Sequence, residues 1–379
     1  KSKNLEQKYQ KKTQLEHIFD IPDTYIGSIE SNQTNVWVPK ETLIDIDEDD
    51  ENSVATKQVR MVKKNITYIP GLYKIFDEII VNSFDQYSRI SKERKDGNKT
   101  LYPVKTVKVW IDIDEGSITV YNDGEGIDVA IHPTEKIYIP QMIFGELLTS
   151  TNYDKDEEKI TGGKNGYGAK LTNIFSKFFS VETVDIRRKK LFYQEYTNNM
   201  KNKTTPVITH SRSKPYTKIK FIPDYSKFNC PGLTEDMILL VKKRTYDMAA
   251  CSAGKLSIYL NDKKLEVSNI DEYISLYLGK PSEYLRVVEE VNDRWVIGAA
   301  MNMEQVFEQV SFVNGISTIR GGRHVEYITR QITRKLAAYI KKKKKIDVRE
   351  NYIKENLMVF VNSIIVNPSF DSQTKETLT

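Results

Sequence analysis

Phe76-Asp77-Glu78-Ile79-Ile80-Val81-Asn82-Ser83-Phe84-Asp85-Gln86 is the stretch on which the reading of this chain turns. At about 100° per residue, Glu78, Asn82, Gln86 and Arg89 fall within an arc of about 80°. Leu72, Phe76, Ile79, Ile80, Val81 and Phe84 occupy most of the remaining circumference. A surface helix has one apolar face and a broad polar one. The helix predicted here, from about Leu72 to Arg89, is apolar nearly all round and carries a narrow polar stripe. It is therefore expected to be buried, and an unpaired buried carboxylate is costly. The stripe needs a polar cavity or a cationic partner. Taken alone, the pattern favours a structural ion pair between Glu78 and a lysine over a catalytic carboxylate.

Downstream, Val107, Val109, Ile111 and Ile113 alternate with Lys108, Trp110 and Asp112, the period of a half-buried strand. Asp114-Glu115-Gly116-Ser117 turns the chain, and Ile118 and Val120 continue the pattern. The hairpin ends at Asn122-Asp123-Gly124-Glu125-Gly126, where the glycines permit close approach of a ligand or simply a tight turn. A short helix is expected near Pro140–Leu148. Thr149-Ser150-Thr151-Asn152 follows, with hydroxyls and an amide able to meet phosphate or ribose, or to cap a helix. Then comes Thr161-Gly162-Gly163-Lys164-Asn165-Gly166-Tyr167-Gly168-Ala169-Lys170, running into an expected helix through about Phe179. Glycines at this density let successive backbone N–H groups converge on an anion, and a helix N-terminus behind them adds its dipole. Lys164 and Lys170 add charge. The pattern is not the G-x-x-x-x-G-K-[ST] phosphate loop, because no Ser or Thr follows the lysine.

Bulk properties set the frame. The chain has 379 residues, room for two or three domains of roughly 150 residues each. Apolar residues are 39% and charged residues 29%, a soluble globular balance. No apolar run approaches the roughly 18 residues of a membrane span, so no membrane partner is expected. No apolar signal core stands at the N-terminus, and secretion is not expected. Two cysteines, Cys230 and Cys251, make neither a disulfide framework nor a zinc site. The net charge of +5 is too small to argue for nucleic acid by itself. Its distribution says more. Ile44–Asn52 is acidic, and Lys341–Lys345 is five lysines in a row at the end of an amphipathic helix expected over Val325–Ile340. That run is either a solvated helix end or a basic patch for DNA phosphates.

Residues 40–65 read as a surface insertion and 91–103 as a charged, flexible stretch. Short strands are expected across 180–223 and at Leu256–Leu260, Trp295–Ala300, Gln309–Val313 and Met358–Val366, with a helix at Leu233–Ala250. The domain boundary is expected near residue 250, dividing the chain into 1–250 and 251–379. Near the C-terminus, Gln373-Thr374-Lys375 follows the last apolar strand.

These pieces occur in one order. FDEIIVNSFDQ, NDGEGI, LLTSTNYD, TGGKNGYGAKLTNIFS and NPSFDSQTKE together closely resemble the ATPase region of eukaryotic type II DNA topoisomerases. KKTQLEHIFDIPDTYIGSIE is similar to that family's N-terminal strap, and the stretch from Ser311 to Ile328 (SFVNGISTIRGGRHVEYI) to its transducer. The resemblance covers essentially the whole chain outside 40–64 and 91–103. It implies an α+β fold: a strap and a GHKL (Bergerat) two-layer α/β sandwich over 1–250, shared with gyrase, Hsp90 and MutL. A ribosomal-S5-like βαβ transducer follows over 251–379, cut short at its C-terminal end.

The resemblance also implies roles. ATP and Mg²⁺ are the expected ligands. Glu78 is the expected general base for the attacking water, and Asn82 the Mg²⁺ ligand. Asn122 is expected at the adenine, and Ser150, Thr151 and Asn152 at ribose and phosphate oxygens. Gly163, Lys164, Asn165, Gly166, Tyr167, Gly168, Ala169 and Lys170 are expected to wrap the triphosphate. Gln373 and Lys375 are expected at the γ-phosphate, Lys375 with a catalytic part. Tyr25 is expected at the nucleotide of a second subunit. The implied assembly is an ATP-dependent homodimer that captures double-stranded DNA in the full-length enzyme, in the nucleus, with Lys341, Lys342, Lys343, Lys344 and Lys345 as DNA contacts. The stretch to Thr379 is expected not to cut DNA itself. Gln86 stands where many relatives carry Asn, Ser83-Phe84 where an Ala-Ala pair is common, and Lys164 where Arg is usual. A protein-directed GHKL chaperone clamp, a histidine kinase and a non-hydrolysing DNA-binding module are the competing classes.

Overall fold

The computed structural model describes residues 13–44, 56–147 and 168–379. Helix α1 (Gln14–Asp20) opens it, closed by a capping box in which the Thr13 hydroxyl accepts from the Glu16 amide. Strands β1 (Asn32–Ile44) and β2 (Thr56–Tyr68) pair antiparallel as a long arm, in register from Asn32–Tyr68 to Ile44–Thr56. The described residues of the surface insertion expected at 40–65 are thus strand. Met61 and Ile66 are buried on the arm, but Lys63, Lys64 and Asn65 between them mask the alternation. The lysines are not idle, since Lys63 meets Glu304 at 3.3 Å and Glu308 at 2.5 Å in the second half of the chain.

Helix α2 (Pro70–Lys95) starts with proline at its first position, where the missing N–H costs nothing. From Gly71 to Phe84 every residue but Tyr73 and Asn82 is buried, as the apolar circumference required. The helix runs past Arg89 into the stretch expected to be flexible, and Leu101 and Val104 behind it are buried. Strands β3 (Thr106–Asp112) and β4 (Ser117–Asp123) form the expected hairpin, with Val107 opposite Asn122. Val107, Val109 and Ile111 turn inward under α2.

Helices α3 (Ile139–Gly145) and α4 (Gly168–Ile174) precede the strands β5 (Ser176–Asp185), β6 (Lys190–Thr197), β7 (Asn202–Lys203), β8 (Val207–His210) and β9 (Tyr216–Pro223). The helix expected through Phe179 ends five residues earlier. Phe179, Val181 and Thr183 alternate inward as a strand, and that period of two overrides the apolar run. Helix α5 (Glu235–Cys251), capped by the Thr234 hydroxyl, packs beside α2. Strands β10 (Ser257–Leu260) and β11 (Lys263–Lys264) complete a nine-stranded sheet in the order β11-β10-β3-β4-β9-β5-β6-β7, with β8 on β6. This is a two-layer sandwich: one twisted sheet carrying α2, α4 and α5 on its inner face. Because β10 pairs β3 in parallel, the first sheet reaches Lys264, beyond the boundary expected at residue 250.

The second unit holds α6 (Ile270–Leu278), β12 (Arg286–Asn292), β13 (Trp295–Met301), β14 (Glu308–Val313), β15 (Ile316–Ser317), α7 (Arg323–Lys344), α8 (Glu350–Glu355) and β16 (Leu357–Ser363). Its sheet runs β12-β13-β16-β14-β15, and the parallel pair β14–β16, joined through α7, makes the βαβ crossover. Buried Val359 and Val361 face Val325 and Ile328 of α7. Beyond β16 the chain returns to the first unit.

Candidate active site

The site is built on α2. Glu78 is buried, yet its carboxylate is met by two ammonium groups. Lys74, one helical turn earlier, stands 2.7 Å from Oε1, and Lys375 reaches the same oxygen at 3.2 Å from the far end of the chain. Burial alone would raise the Glu78 carboxyl; Lys375 and Lys74 outweigh it and hold it below the usual carboxylate range. Lys375 sits with φ of 60° on a turn after β16, itself buried. Glu78 is thus ion-paired, and one of its partners arrives from the other unit.

Gly168, first residue of α4, packs on that carboxylate. A Cβ there would lie 2.1 Å from Glu78 Oε2, so only glycine admits the approach. Lys170 is buried on the same helix, and burial pushes its ammonium down to about 8. A triphosphate would oppose that shift. Ala169 is buried beside it. The other loop and hydroxyl candidates, Ser150, Thr151, Asn152, Gly163, Lys164, Asn165, Gly166 and Tyr167, lie outside the described residues.

Asn82 is the single exposed residue between Gly71 and Phe84. An exposed amide on an otherwise sealed stretch, one turn beyond Glu78, faces an opening rather than a packed neighbour. The rest of the stripe is anchored to the strand end. Ser83 donates to Asn122 Oδ1 at 3.3 Å, Asn122 Nδ2 donates to the Asp123 carbonyl at 2.9 Å, and Gln86 donates to the Glu125 carbonyl at 2.7 Å. Arg89 in turn holds Gln86 at 2.8 Å. Asp123 accepts from the Lys105 and Thr106 amides at 2.7 and 2.8 Å. The Asn122–Gly126 segment is a fixed wall of the site.

The comparisons bear on this geometry. The histidine kinase-, DNA gyrase B- and HSP90-like ATPase family model matches residues 67–221, and the DNA gyrase B family model matches 269–379. DNA topoisomerase 2 of Acanthamoeba polyphaga mimivirus is 46% identical over 381 residues, covering 100% of this chain and 28% of the relative. DNA topoisomerase 2 of Arabidopsis thaliana is 46% identical over 385 residues, covering 100% of this chain and 24% of its own length. Among solved structures, the ATPase region of Saccharomyces cerevisiae topoisomerase II matches with a TM-score of 0.84 and 42% identity, over 99% of this chain and 91% of that one. The ATPase and transducer domains of topoisomerase II from Balamuthia mandrillaris match with a TM-score of 0.85 and 44% identity, over 100% and 90%. This chain belongs to the ATPase and transducer region of the type II DNA topoisomerases. It spans only the 28% and 24% of those curated relatives given above.

Within this topoisomerase region, the remaining candidates fall into two groups. Gln373 lies half-buried two residues before Lys375, near the site. The Tyr25 hydroxyl lies 2.9 Å from His17 Nδ1. Lys341–Lys345 are exposed at the C-terminal end of α7.

Three site residues went unread in the sequence: Lys74, Asp77 and Arg244. Lys74 had a signal, the four-residue spacing to Glu78 on a helix. Asp77 stood inside the quoted motif on what counted as the apolar side. Arg244 is fully buried on α5 and pairs with Asp77 at 2.7 Å, a contact that only the tertiary fold makes.

Proposed function

We propose that this chain binds ATP between its two units and hydrolyses it with Glu78 as the general base, as the nucleotide-driven gate of a type II DNA topoisomerase. The observation that carries the reading is Lys375: a lysine of the second unit, 297 residues away in sequence, delivered to the carboxylate of the first. A cation that pairs with Glu78 here has a γ-phosphate as its natural alternative partner. Nucleotide binding then exchanges that contact, leaves Glu78 with one cation fewer, and draws the two units together. Gln373 and Lys170 add donors to the same phosphates, and Asn122 stands in the wall expected at the adenine.

Asn82 would hold Mg²⁺. Its amide oxygen is the hard donor this ion accepts, it is exposed, and the ion takes its other ligands from phosphate and water. Among the described residues no group of three or more His, Cys, Asp or Glu could hold a metal by itself, which fits an ion that arrives with the triphosphate. Bound there, magnesium offsets the charge on the phosphate oxygens.

The partners are a second copy and DNA, in the nucleus. ATP favours the closed dimer only through its tighter binding to that state. In that state Tyr25 and the strap would reach the partner's nucleotide. For DNA, helix α7 extends the lysine run: Arg323, Arg330, Arg334 and Lys341 recur at helical spacing and are all exposed, a row suited to phosphates. The reading is tested by ATP turnover of Glu78→Gln against wild type. Loss of turnover with retained binding of a non-hydrolysable analogue supports it; equal turnover refutes it. Light scattering with and without that analogue tests the dimer, and a monomer in both cases refutes it.

A further inference from the structure

Lys375 is one place where the second unit reaches the catalytic helix, and Asp293, 3.4 Å from Lys95 at the end of the helix, is another. A third runs through Asp77. Asp77 Oδ1 is held by Arg244 Nε at 2.7 Å, and Arg244 Nη2 donates to the carbonyl of Gly315, in the turn between β14 and β15. Asp77 Oδ2 stands 3.3 Å from Lys74 Nζ, the same ammonium that lies 2.7 Å from Glu78. An unbroken chain therefore runs from a backbone carbonyl of the second unit through Arg244, Asp77 and Lys74 to the Glu78 carboxylate. All four of these side chains are buried.

The turn touches the helix a second time. Gly315 has φ of 76°, and a Cβ on it would lie 2.3 Å from Phe84 Cδ1, so the backbone rests directly on that ring. The turn is rigid with respect to its own unit. The Asn314 amide donates to the Ser363 carbonyl at 2.9 Å, and the Asn314 side chain exchanges hydrogen bonds with Ile365 at 2.8 and 2.9 Å. Residues 363–365 begin the segment that leads to Lys375. A shift of that segment must move the turn with it.

Two carboxylates share one lysine. While Arg244 satisfies Asp77, Lys74 sits closer to Glu78 than to Asp77, and its position sets the direction of the Glu78 carboxylate. Withdrawing the Gly315 carbonyl loosens Arg244, and Asp77 then competes for Lys74. We propose that Asp77 and Arg244 are positioning residues for hydrolysis, acting through Lys74 on Glu78, and that they report the position of the Asn314–Gly315 turn to the reacting carboxylate. The proposal rests on Glu78 being the base.

The test is steady-state ATPase kinetics in the full chain for Asp77→Asn, Arg244→Lys and the double variant. The affinity for a non-hydrolysable ATP analogue and the melting temperature are measured on each. Asp77→Asn keeps the volume and one acceptor; Arg244→Lys keeps the charge but not the fork that spans Asp77 and Gly315. Misplacing a catalytic group by about 1 Å costs up to about 100-fold, so each single variant is expected to lose about 10- to 100-fold in kcat with KM and analogue affinity within about twofold. Because both act through one chain, the double variant is expected to be no slower than the slower single one. The proposal is overturned by kcat within about twofold of wild type in a folded Asp77→Asn, by multiplicative losses in the double variant, or by kcat and affinity falling together. Should Arg244→Lys not fold, Gly315→Ala takes its place, since it pushes the turn off Phe84, with the same kcat and KM split expected and the same outcomes overturning it. Glu78→Gln runs alongside. If it turns over normally the base reading itself is wrong; if it is inactive while Asp77→Asn is normal, only the positioning role falls.

Discussion

Around α2, Lys74, Asp77, Glu78, Arg244 and Lys375 are sealed from solvent and each touches at least one of the others. Along α7, Arg323, Arg330, Arg334 and Lys341–Lys345 stand in water. Both regions are dense in charge, and their physics is opposite. At 4 Å two unit charges interact by about 1 kcal/mol in water and about 4 kcal/mol at the effective dielectric of a protein interior or margin. Burial also removes the option of leaving a charge unpaired. The α2 group is therefore a cooperative unit in which each member fixes another, and removing one disturbs all. The α7 group is a sum of weakly interacting charges that salt can screen. The buried group suits a reaction that needs atoms in place, and the exposed one a long polyanion bound without fixed register.

The largest expected effect is the loss of the reaction. General-base catalysis is worth about 10²- to 10⁴-fold, so Glu78→Gln should slow ATP turnover by at least about 100-fold, measured by phosphate release at saturating ATP. Nucleotide affinity should persist, because the glutamine keeps the shape and still accepts from Lys74. No single change on α7 should approach this loss, and one that did would erase the contrast between the two regions.

Next in size is stability. Arg244→Met leaves buried Asp77 without its closest ion pair, and breaking a buried pair by removing one partner costs about 3–5 kcal/mol. Chemical denaturation should show it as a lower midpoint with an unchanged slope. Arg330→Met and Arg334→Met, both on the exposed row, should stay within about 0.5 kcal/mol of wild type.

The pH dependence sharpens the comparison further. Burial opposes the charge on Asp77, but Arg244 and Lys74 prevail and lower its pKa, as Lys375 and Lys74 do for Glu78. Lowered carboxyl values mean stability that is complete above the unfolded pKa of about 3.9–4.3 and lost as pH falls through the folded values. For Lys74, burial is outweighed by Glu78 and Asp77 and the pKa is raised; its contribution is complete below the unfolded value of about 10.4 and lost above the folded one. The share of stability that these two carboxylates contribute should be constant across neutral pH and be lost on the acid side below about pH 4. Asp77→Asn should flatten that acid limb, whereas changes on α7 should leave its shape alone.

Much of this contrast was legible in the sequence, and its limits are physical. The circumference of α2 announced burial, the alternation from Val107 to Val120 announced the hairpin although Ile113, counted in it, is exposed in the turn, and the order of motifs carried the family. Charge alone did not say which lysines would be buried. Lys74 and Lys375 look no different in composition from Lys341, and only the fold decides which dielectric each meets. Arg244 was invisible because its partners, Asp77 and the Gly315 carbonyl, lie 167 and 71 residues away. The β1–β2 arm was misread for a related reason. Its charged residues answer Glu304, Glu308 and Asp236 across space, as Lys64 does at 3.1 Å. A local window sees such residues as solvent-facing.

The smallest effect per residue is expected on the lysine run, and it tests whether the exposed charges act as a sum. Lys341 pairs with Asp347 at 2.9 Å, but both are exposed, and such a pair contributes about 0–1 kcal/mol. Replacing Lys341–Lys345 with alanine should therefore barely change the melting temperature. If the row contacts DNA, each lysine that meets a phosphate releases about one counterion. The slope of log affinity against log salt should then fall by about 0.9 per lysine lost, with no dependence on DNA sequence. The loss should be greatest at low salt and fade toward high salt. The ATPase rate without DNA should be unchanged, because none of these side chains touches the α2 network, while stimulation by DNA in the full-length protein should weaken. An unchanged salt slope would remove the lysines from the DNA surface and leave them a solvated helix end. A fall in the DNA-free rate would mean instead that the exposed row is coupled to the buried one, and the division between the two kinds of charge would have to be redrawn.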